Sequence, residues 1–169
     1  MPGRRLGSVR GEMLDKRQVI EGVVEKLAAD VDLYLRAART AALEATDEQS
    51  KAENKYDTRG LEASYLARGQ SRQAAEAERA LSVFRGWSQR VPAAGAVVSE
   101  GSLACVGQGR SATWYLVAPC AGGTEVDVEG VEVTVITPSS PMGRALCGRK
   151  AGDDVVLPSG SKGRVREVG

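Results

Sequence analysis

The chain has 169 residues, of which 23 are Lys or Arg and 22 are Asp or Glu, so its formal net charge is +1. This balance provides no overall field to attract nucleic acid or an anionic membrane, and any electrostatic function must be local. The sequence contains no histidine, which excludes Ser-His-Asp and Cys-His catalysis and HExxH metal sites. Aromatic residues make up only 4%, so we do not expect one large globular core.

Two further features indicate where the protein works. Its three cysteines, Cys105, Cys120 and Cys147, are odd in number and form no CxxC pair. No apolar leader segment opens the chain, and no apolar run approaches the ~20 residues that a membrane-spanning helix needs. We therefore predict reduced, buried thiols in a cytoplasmic protein that does not associate with membranes.

The N-terminal half predicts two long helices. Residues 1–11 are rich in Gly and Arg without periodicity and predict a flexible basic tail. Residues 12–46 then carry a heptad seam, and residues 61–87 repeat it. The predicted seam residues are Ile20, Val24, Leu27, Val31, Tyr34, Ala38, Ala41 and Ala45 on the first helix, and Ala63, Leu66, Gln70, Gln73, Ala77, Ala80, Phe84 and Trp87 on the second.

The polar segment between these helices predicts a turn. Residues 46–60 lack a hydrophobic stripe, so the simplest arrangement is an antiparallel coiled-coil hairpin over residues 12–89 with its tip at about 46–60. Helices of this length rise ~1.5 Å per residue, which gives an arm on the order of 40 to 50 Å.

The C-terminal half changes to β periodicity. Pro92 and Gly95 mark a linker at 90–95, and residues 96–169 predict a small antiparallel β domain. Its strands are predicted at 96–98, 103–106, 113–118, 125–128, 131–136, 155–157 and 164–168. Glu129 and Gly130 predict a tight hairpin turn, and residues 143–149 are the one helical candidate. The fold class is α+β.

Residues 136–157, ITPSSPMGRALCGRKAGDDVVL, resemble the S-P-[LIM]-[GA]-R-A-L-[LI]-G-[KR]-x-x-G-D-x-V segment of the Gre family of bacterial transcription elongation factors. The resemblance extends over both halves in order, and it implies a coiled-coil hairpin followed by an FKBP-like β domain with one short helix. It also implies that the protein binds RNA polymerase at the secondary channel. In this family the S-P loop docks on a coiled coil at the channel rim, and the corresponding residues here are Ser139, Ser140, Pro141, Met142 and Arg144.

The hairpin tip resembles the family only in part. Residues 53–65, ENKYDTRGLEASY, are similar to the S-E-N-A-E-Y-x-x-A-[KR]-E tip of Gre factors, with Glu53 and Asn54 aligned. The family places an Asp three residues before this Glu, and the pair is thought to hold the second Mg²⁺ that promotes transcript cleavage. Ser50 occupies that position here, and one residue is missing between Asn54 and Tyr56. The metal site that the resemblance implies is therefore Glu53 with Asp47 or Glu48, sharing Mg²⁺ with aspartates of the polymerase.

The residues of the tip allow two interpretations. Its acidic candidates are Asp47, Glu48, Glu53 and Asp57, and clustered carboxylates suit a hard cation such as Mg²⁺. Alternatively, the charges are simply solvated or paired with Lys51, Lys55 and Arg59, while Thr46 or Asp47 ends the first helix and Asp57 or Thr58 caps the second. Tyr56 either packs across the hairpin or, in a family-like tip, lies near the RNA 3′ end.

We therefore expect a monomeric transcription factor that modulates elongation through the polymerase active site, with no catalytic residue or cofactor of its own. Whether it stimulates cleavage of backtracked RNA or acts as a Gre-like inhibitor is left open by Ser50. A protein-binding adaptor that uses the coiled coil without touching polymerase is the alternative from another class.

Overall fold

A computed structural model of the chain describes residues 14–47 and 58–169. Two long helices, α1 at Lys16–Thr46 and α2 at Arg59–Gln89, precede a six-stranded sheet and a short helix. The remaining elements are β1 (Leu103–Gln108), β2 (Ser111–Val117), β3 (Glu125–Val128), β4 (Val131–Ile136), α3 (Pro141–Leu146), β5 (Asp154–Val156) and β6 (Lys162–Val168). The predicted α+β class is confirmed. The predicted basic tail lies outside the described residues.

Helix α1 begins at Lys16, later than its periodicity predicts, because Asp15 caps its start. The side chain of Asp15 accepts a hydrogen bond from the Arg17 backbone N–H at 2.9 Å, as an N-cap residue does. The next residue, Lys16, donates from Nζ to the carbonyl oxygens of Pro92, at 3.1 Å, and Gly101, at 2.8 Å. These bonds tie the start of α1 to the segment that follows α2.

The seam of α1 agrees with the prediction, since its eight predicted residues are all buried or half-buried. On α2 the predicted register is wrong at two positions. Leu66 is 53% exposed and Gln73 is also exposed, whereas Ala74 and Leu81 are buried. Up to residue 77 the steps of four and three run in the opposite order, through residues 63, 67, 70, 74 and 77. Beyond it the predicted Ala80 is buried together with Leu81. A buried Gln73 amide would need hydrogen-bond partners, and Ala74 needs none.

The sheet has the strand order β3-β4-β2-β1-β6-β5, and it is mixed, which corrects the prediction of an antiparallel domain. β2 and β4 pair in parallel, with Trp114 opposite Val133, while the other neighbours are antiparallel. The reason is topological. β3 takes the sheet edge and runs opposite to β2. A two-residue turn then reverses the chain into the space between β3 and β2, so β4 runs in the same direction as β2.

The turn between β3 and β4 forms at the predicted residues. Glu129 and Gly130 both have positive φ, 55° and 82°, as a type I′ hairpin turn requires. The carboxylate of Asp127 accepts a hydrogen bond from the Gly130 N–H at 2.9 Å. The predicted strand at 96–98 is wrong in extent, because only an isolated bridge joins Val97 to Lys150.

The sheet buries side chains on both faces. One face, which we call the α3 face, carries a cluster to which α3 contributes Leu146 and Met142. Its buried members are Val98, Ala104, Val106, Val117, Ile136, Leu146, Val155, Leu157 and Val165. On the opposite face α1 approaches β3 closely, since a Cβ at Gly22 would lie 3.5 Å from the Cβ of Val126.

The chain divides into two compact units. One joins the first part of the chain, up to Val23, to Gly86–Gly169, and the other is Val24–Arg85. The boundary therefore falls inside both long helices, and the first turns of α1 and the last turn of α2 belong with the sheet.

The observed register makes a stability prediction. Ala74 is 2% exposed, so Ala74→Gln inserts a polar side chain into a closely packed seam and should lower the free energy of unfolding by about 1–3 kcal/mol. Gln73→Ala at the exposed neighbour should change it by no more than about 0.5 kcal/mol. Urea unfolding of both variants measures this, and a larger loss for Gln73→Ala than for Ala74→Gln would refute the register.

Candidate functional site

The first candidate site is the described end of the α1–α2 hairpin. α1 ends at Thr46, whose hydroxyl donates to the carbonyl of Ala42 at 3.0 Å. Thr58 immediately precedes α2, and its hydroxyl donates to Oε1 of Glu62 at 3.1 Å. α1 thus ends at a threonine and α2 begins directly after one, and threonine is favoured at helix ends because its hydroxyl bonds nearby groups.

The acidic residues predicted for the tip are only partly described. Asp47 is exposed, and its backbone N–H donates to the Leu43 carbonyl at 2.9 Å. The other predicted tip residues lie outside the described residues. They are Glu48, Glu53, Asn54, Tyr56 and Asp57. Within residues 14–47 and 58–169, no three His, Cys, Asp or Glu side chains come together in a way that could hold a metal ion. Asp47 is therefore the one predicted ligand whose position is described, and its exposed carboxylate has the oxygen chemistry that Mg²⁺ prefers.

A second acidic group near the tip was not predicted as a site. Glu44 of α1 and Glu62 of α2 line one shallow depression together with Arg59, Ala63 and Leu66. One carboxylate from each helix thus lines the same depression as a cation. That Glu44 and Glu62 share it follows from the antiparallel register, which the sequence alone does not define.

The second candidate site is the loop at 137–142 that leads into α3. Ser140 is the N-cap of α3, and its hydroxyl donates to the Thr137 carbonyl at 2.7 Å while accepting from the Gly143 N–H at 3.0 Å. The single hydroxyl proton of Ser140 is thus engaged in a bond within the loop. Gly143 is buried directly against the backbone of Thr137 and Pro138. The loop is held in one shape by its own backbone.

The neighbouring predicted residues present different surfaces. Ser139 and Pro141 are exposed, and Met142 is half-buried against the α3-face cluster. The Arg144 guanidinium donates to the Ser139 carbonyl, so this side chain braces the loop from the outside. Of the five predicted docking residues, Ser139, Pro141 and Arg144 are exposed. The Ser139 hydroxyl lies 3.3 Å from that of Thr137, and Ser140 and Arg144 bond within the loop.

An apolar depression of about 530 Å³ lies beside this loop. Pro141 and Met142 form one wall, and Val135, Ile136 and Pro158 contribute apolar surface to the rest. Sequence reasoning missed Pro158, because it follows β5 and comes next to the loop only through the sheet. Its signal was a Pro-Ser-Gly turn after a short strand.

The cysteines are poor candidates for chemistry. Burial raises the pKa of the Cys105 thiol, and the nearby Glu167 carboxylate raises it further. Burial also raises the pKa values of Cys120 and Cys147. A raised pKa disfavours the thiolate, which is the nucleophilic and metal-binding form.

No protein-family model and no curated protein matches the chain. Solved structures do. The chain is similar to Gfh1. GreA factor homolog 1 (Gfh1) of Thermus thermophilus is 22% identical over 86% of this chain and 94% of its own, with a TM-score of 0.37.

A second structure of the transcription factor Gfh1 is 22% identical over 88% of this chain, with a TM-score of 0.37. Thermus aquaticus Gfh1 is 21% identical over 88% of this chain, with a TM-score of 0.35. Each of these two matches covers 94% of the Gfh1 chain. At these values the likeness decides neither an activity nor a partner.

Among the described helices, none is long and apolar enough to cross a membrane.

The cap at Ser140 predicts a stability difference between two adjacent serines. Ser140→Ala removes both hydroxyl bonds and should cost about 1 kcal/mol of unfolding free energy, as loss of an N-cap does. Ser139→Ala, at an exposed position, should cost less than about 0.5 kcal/mol. Chemical denaturation of both variants provides the measurement, and equal losses would show that the cap does not stabilise α3.

Proposed function

We propose that this protein is a Gre-type transcription factor that binds RNA polymerase, with the α1–α2 hairpin entering the secondary channel and the 139–142 loop docking at the channel rim. The observation that carries the proposal is the shape of that loop. It lies in the 136–157 segment that resembles the Gre signature, and it exposes Ser139 and Pro141 from a turn that Ser140 holds closed. A loop that is already ordered loses little conformational entropy on binding.

The hairpin supports the same proposal. α1 and α2 each have 31 residues, of which 24–46 and 59–85 belong to the helical unit, or about 35–40 Å at ~1.5 Å per residue. The seam of the unit Val24–Arg85 is mainly alanine towards the tip, with Ala38, Ala41 and Ala74 buried. Small seam residues let two helices approach to the short end of the usual ~8–10 Å separation. A thin, long hairpin suits a narrow channel.

The chemistry in this proposal belongs to the polymerase. Glu53, with Asp47 or Glu48, would add carboxylate oxygens to a Mg²⁺ that the polymerase's own aspartates also hold. When bound, such an ion promotes attack of water on a phosphodiester by stabilising charge on its oxygens. This chain's contribution is to carry carboxylates to that place, and Asn54 and Tyr56 would lie beside them, towards the RNA 3′ end.

Docking is tested with Pro141→Asp. Asp is well tolerated in the first turn of a helix, because it interacts favourably with the helix dipole, so α3 should persist. The new charge should nevertheless weaken binding to core RNA polymerase at least tenfold, about 1.4 kcal/mol, because it enters an apolar contact. Fluorescence anisotropy of the labelled protein gives the affinity.

Ala151→Asp is the matched control, since it adds the same charge to an exposed turn and should bind like the unmodified protein. Unchanged affinity of Pro141→Asp would refute docking through this loop. Failure of the unmodified protein to bind polymerase at low micromolar concentration would refute the whole proposal.

The effect on transcription is tested with backtracked elongation complexes. If the tip helps to hold Mg²⁺, the protein should shorten the RNA from its 3′ end, and Glu53→Ala should abolish that effect while polymerase binding persists. Glu78→Ala, which removes an exposed carboxylate of α2 far from the tip in sequence, should leave shortening unchanged. Binding without shortening would place the protein in the inhibitor class.

One observation favours a second candidate function, a protein-binding adaptor. Several large apolar side chains of the two helices are exposed. They are Leu33, Leu43, Leu61, Tyr65 and Leu66, each more than half exposed. Aromatic and aliphatic side chains of this kind are common anchors at protein interfaces. The polymerase-binding measurement distinguishes the two functions, because an adaptor of this class would not bind polymerase.

A further inference from the structure

Strand β6 displays a regular row of cations. Its residues alternate in exposure, with Gly163 and Val165 buried and Lys162, Arg164 and Arg166 exposed. Since Val165 belongs to the α3-face cluster, the three cations point to the other side of the sheet. Alternate residues of a strand are ~6.7 Å apart, but a register shift opposite Cys105 and Val106 falls at Arg166. The guanidinium of Arg166 turns back over Gly107, so the charges lie on one side of the strand without even spacing.

The turn between β1 and β2 extends this row. Arg166 donates from Nη2 to the Gly109 carbonyl at 3.2 Å, and its guanidinium lies across Gly107, where a side chain would collide with it. Arg110, the next residue of the turn, is exposed. We call Arg110, Lys162, Arg164 and Arg166 the basic stripe.

The stripe has more cations than nearby acids. Arg164 donates from Nε to Asp154 at 2.7 Å, across the β5–β6 ladder where the two residues are register partners. In the described part of the chain, no ion pair or side-chain hydrogen bond engages Arg110 or Lys162. The other acid of β6, Glu167, is partly buried opposite Cys105.

We propose that the basic stripe binds the phosphodiester backbone of a nucleic acid. Guanidinium groups suit phosphate oxygens because their donors form a planar fork, and contacts of this kind position a backbone without reading sequence. Several cations along one strand and the adjoining turn can contact successive phosphates of a polymer whose charges repeat along its length. This proposal does not depend on the polymerase proposal.

The composition of the stripe favours a nucleic acid over an acidic protein. Protein interfaces usually centre on a desolvated aromatic or aliphatic anchor. Val156 is the one large exposed hydrophobic residue on β6, which carries three of the four cations, and its neighbour β5. The absence of an exposed aromatic on β5 and β6 also removes a platform for base stacking. Binding should therefore be insensitive to sequence and strongly dependent on salt, with about one unit of log–log slope for each phosphate contact.

Two substitutions that break the same ion pair provide the decisive test. Arg164→Gln removes a phosphate ligand, and we expect the affinity for a labelled single-stranded RNA to fall several-fold and the salt slope to decrease by about 1. Asp154→Asn removes the competing carboxylate and should raise the affinity several-fold. Since both variants lose the Asp154–Arg164 pair, a change in stability cannot explain effects of opposite sign.

The full chain is titrated with the RNA at low salt, and a labelled DNA duplex in parallel shows which nucleic acid is preferred. Arg110→Gln/Lys162→Gln should weaken binding, whereas Arg68→Gln/Arg72→Gln, which removes two exposed arginines of α2, should not. The proposal is overturned if neither nucleic acid binds, if both double variants behave alike, or if Asp154→Asn fails to tighten binding. Equal competition by polyglutamate at matched charge would indicate an acidic protein partner and overturn it too.

Discussion

Close packing of alanine between α1 and α2 is the constraint on which the hairpin depends. Isolated helices are marginal in water, and most of their stability comes from packing. In the unit Val24–Arg85 the buried residues include Leu27, Leu81 and Phe84, while Ala38, Ala41 and Ala74 fill the seam nearer the tip. Alanine gains little from burial, but it loses no side-chain entropy and permits close approach. The alanine seam therefore makes the hairpin narrow at the expense of hydrophobic stabilisation, a trade that fits the proposed entry into a channel.

The shape of the 139–142 loop is likewise set by residues that bond within the loop and its helix. The Ser140 hydroxyl accepts a hydrogen bond from the Gly143 N–H at the start of α3, and the Arg144 guanidinium donates to the Ser139 carbonyl. Pro141 is exposed because these bonds hold the turn that precedes it. The segment with the strongest family resemblance thus divides into a structural part, centred on Ser140, and a surface part, formed by Ser139 and Pro141.

Local periodicity predicted most of the fold. β3 and β4 have the predicted bounds, since alternation of valine with polar residues and a Glu-Gly turn determine both strands locally. The errors occur where non-local packing decides. Gln73 and Ala74 fit neighbouring heptad registers, and only the partner helix selects between them. The parallel pairing of β2 with β4 depends on which strand takes the sheet edge. Pro158 joins the apolar depression beside the 139–142 loop only through the folded sheet. For Ser140 the sequence favoured docking; the structure shows its hydroxyl in the cap, and docking stays a prediction.

The sheet unit separates its two proposed surfaces. α3 packs with Val165 and Val106 on one face, and the side chains of Arg164 and Arg166 alternate with Val165 along β6, so they point to the other face. A protein that docks on the 139–142 loop would therefore leave the basic stripe accessible. Because the strand period of two assigns neighbouring residues to opposite sides, β6 provides core packing through Gly163 and Val165 and surface charge through the residues between and beside them. A single short strand can in this way serve the fold on one side and a charged ligand on the other.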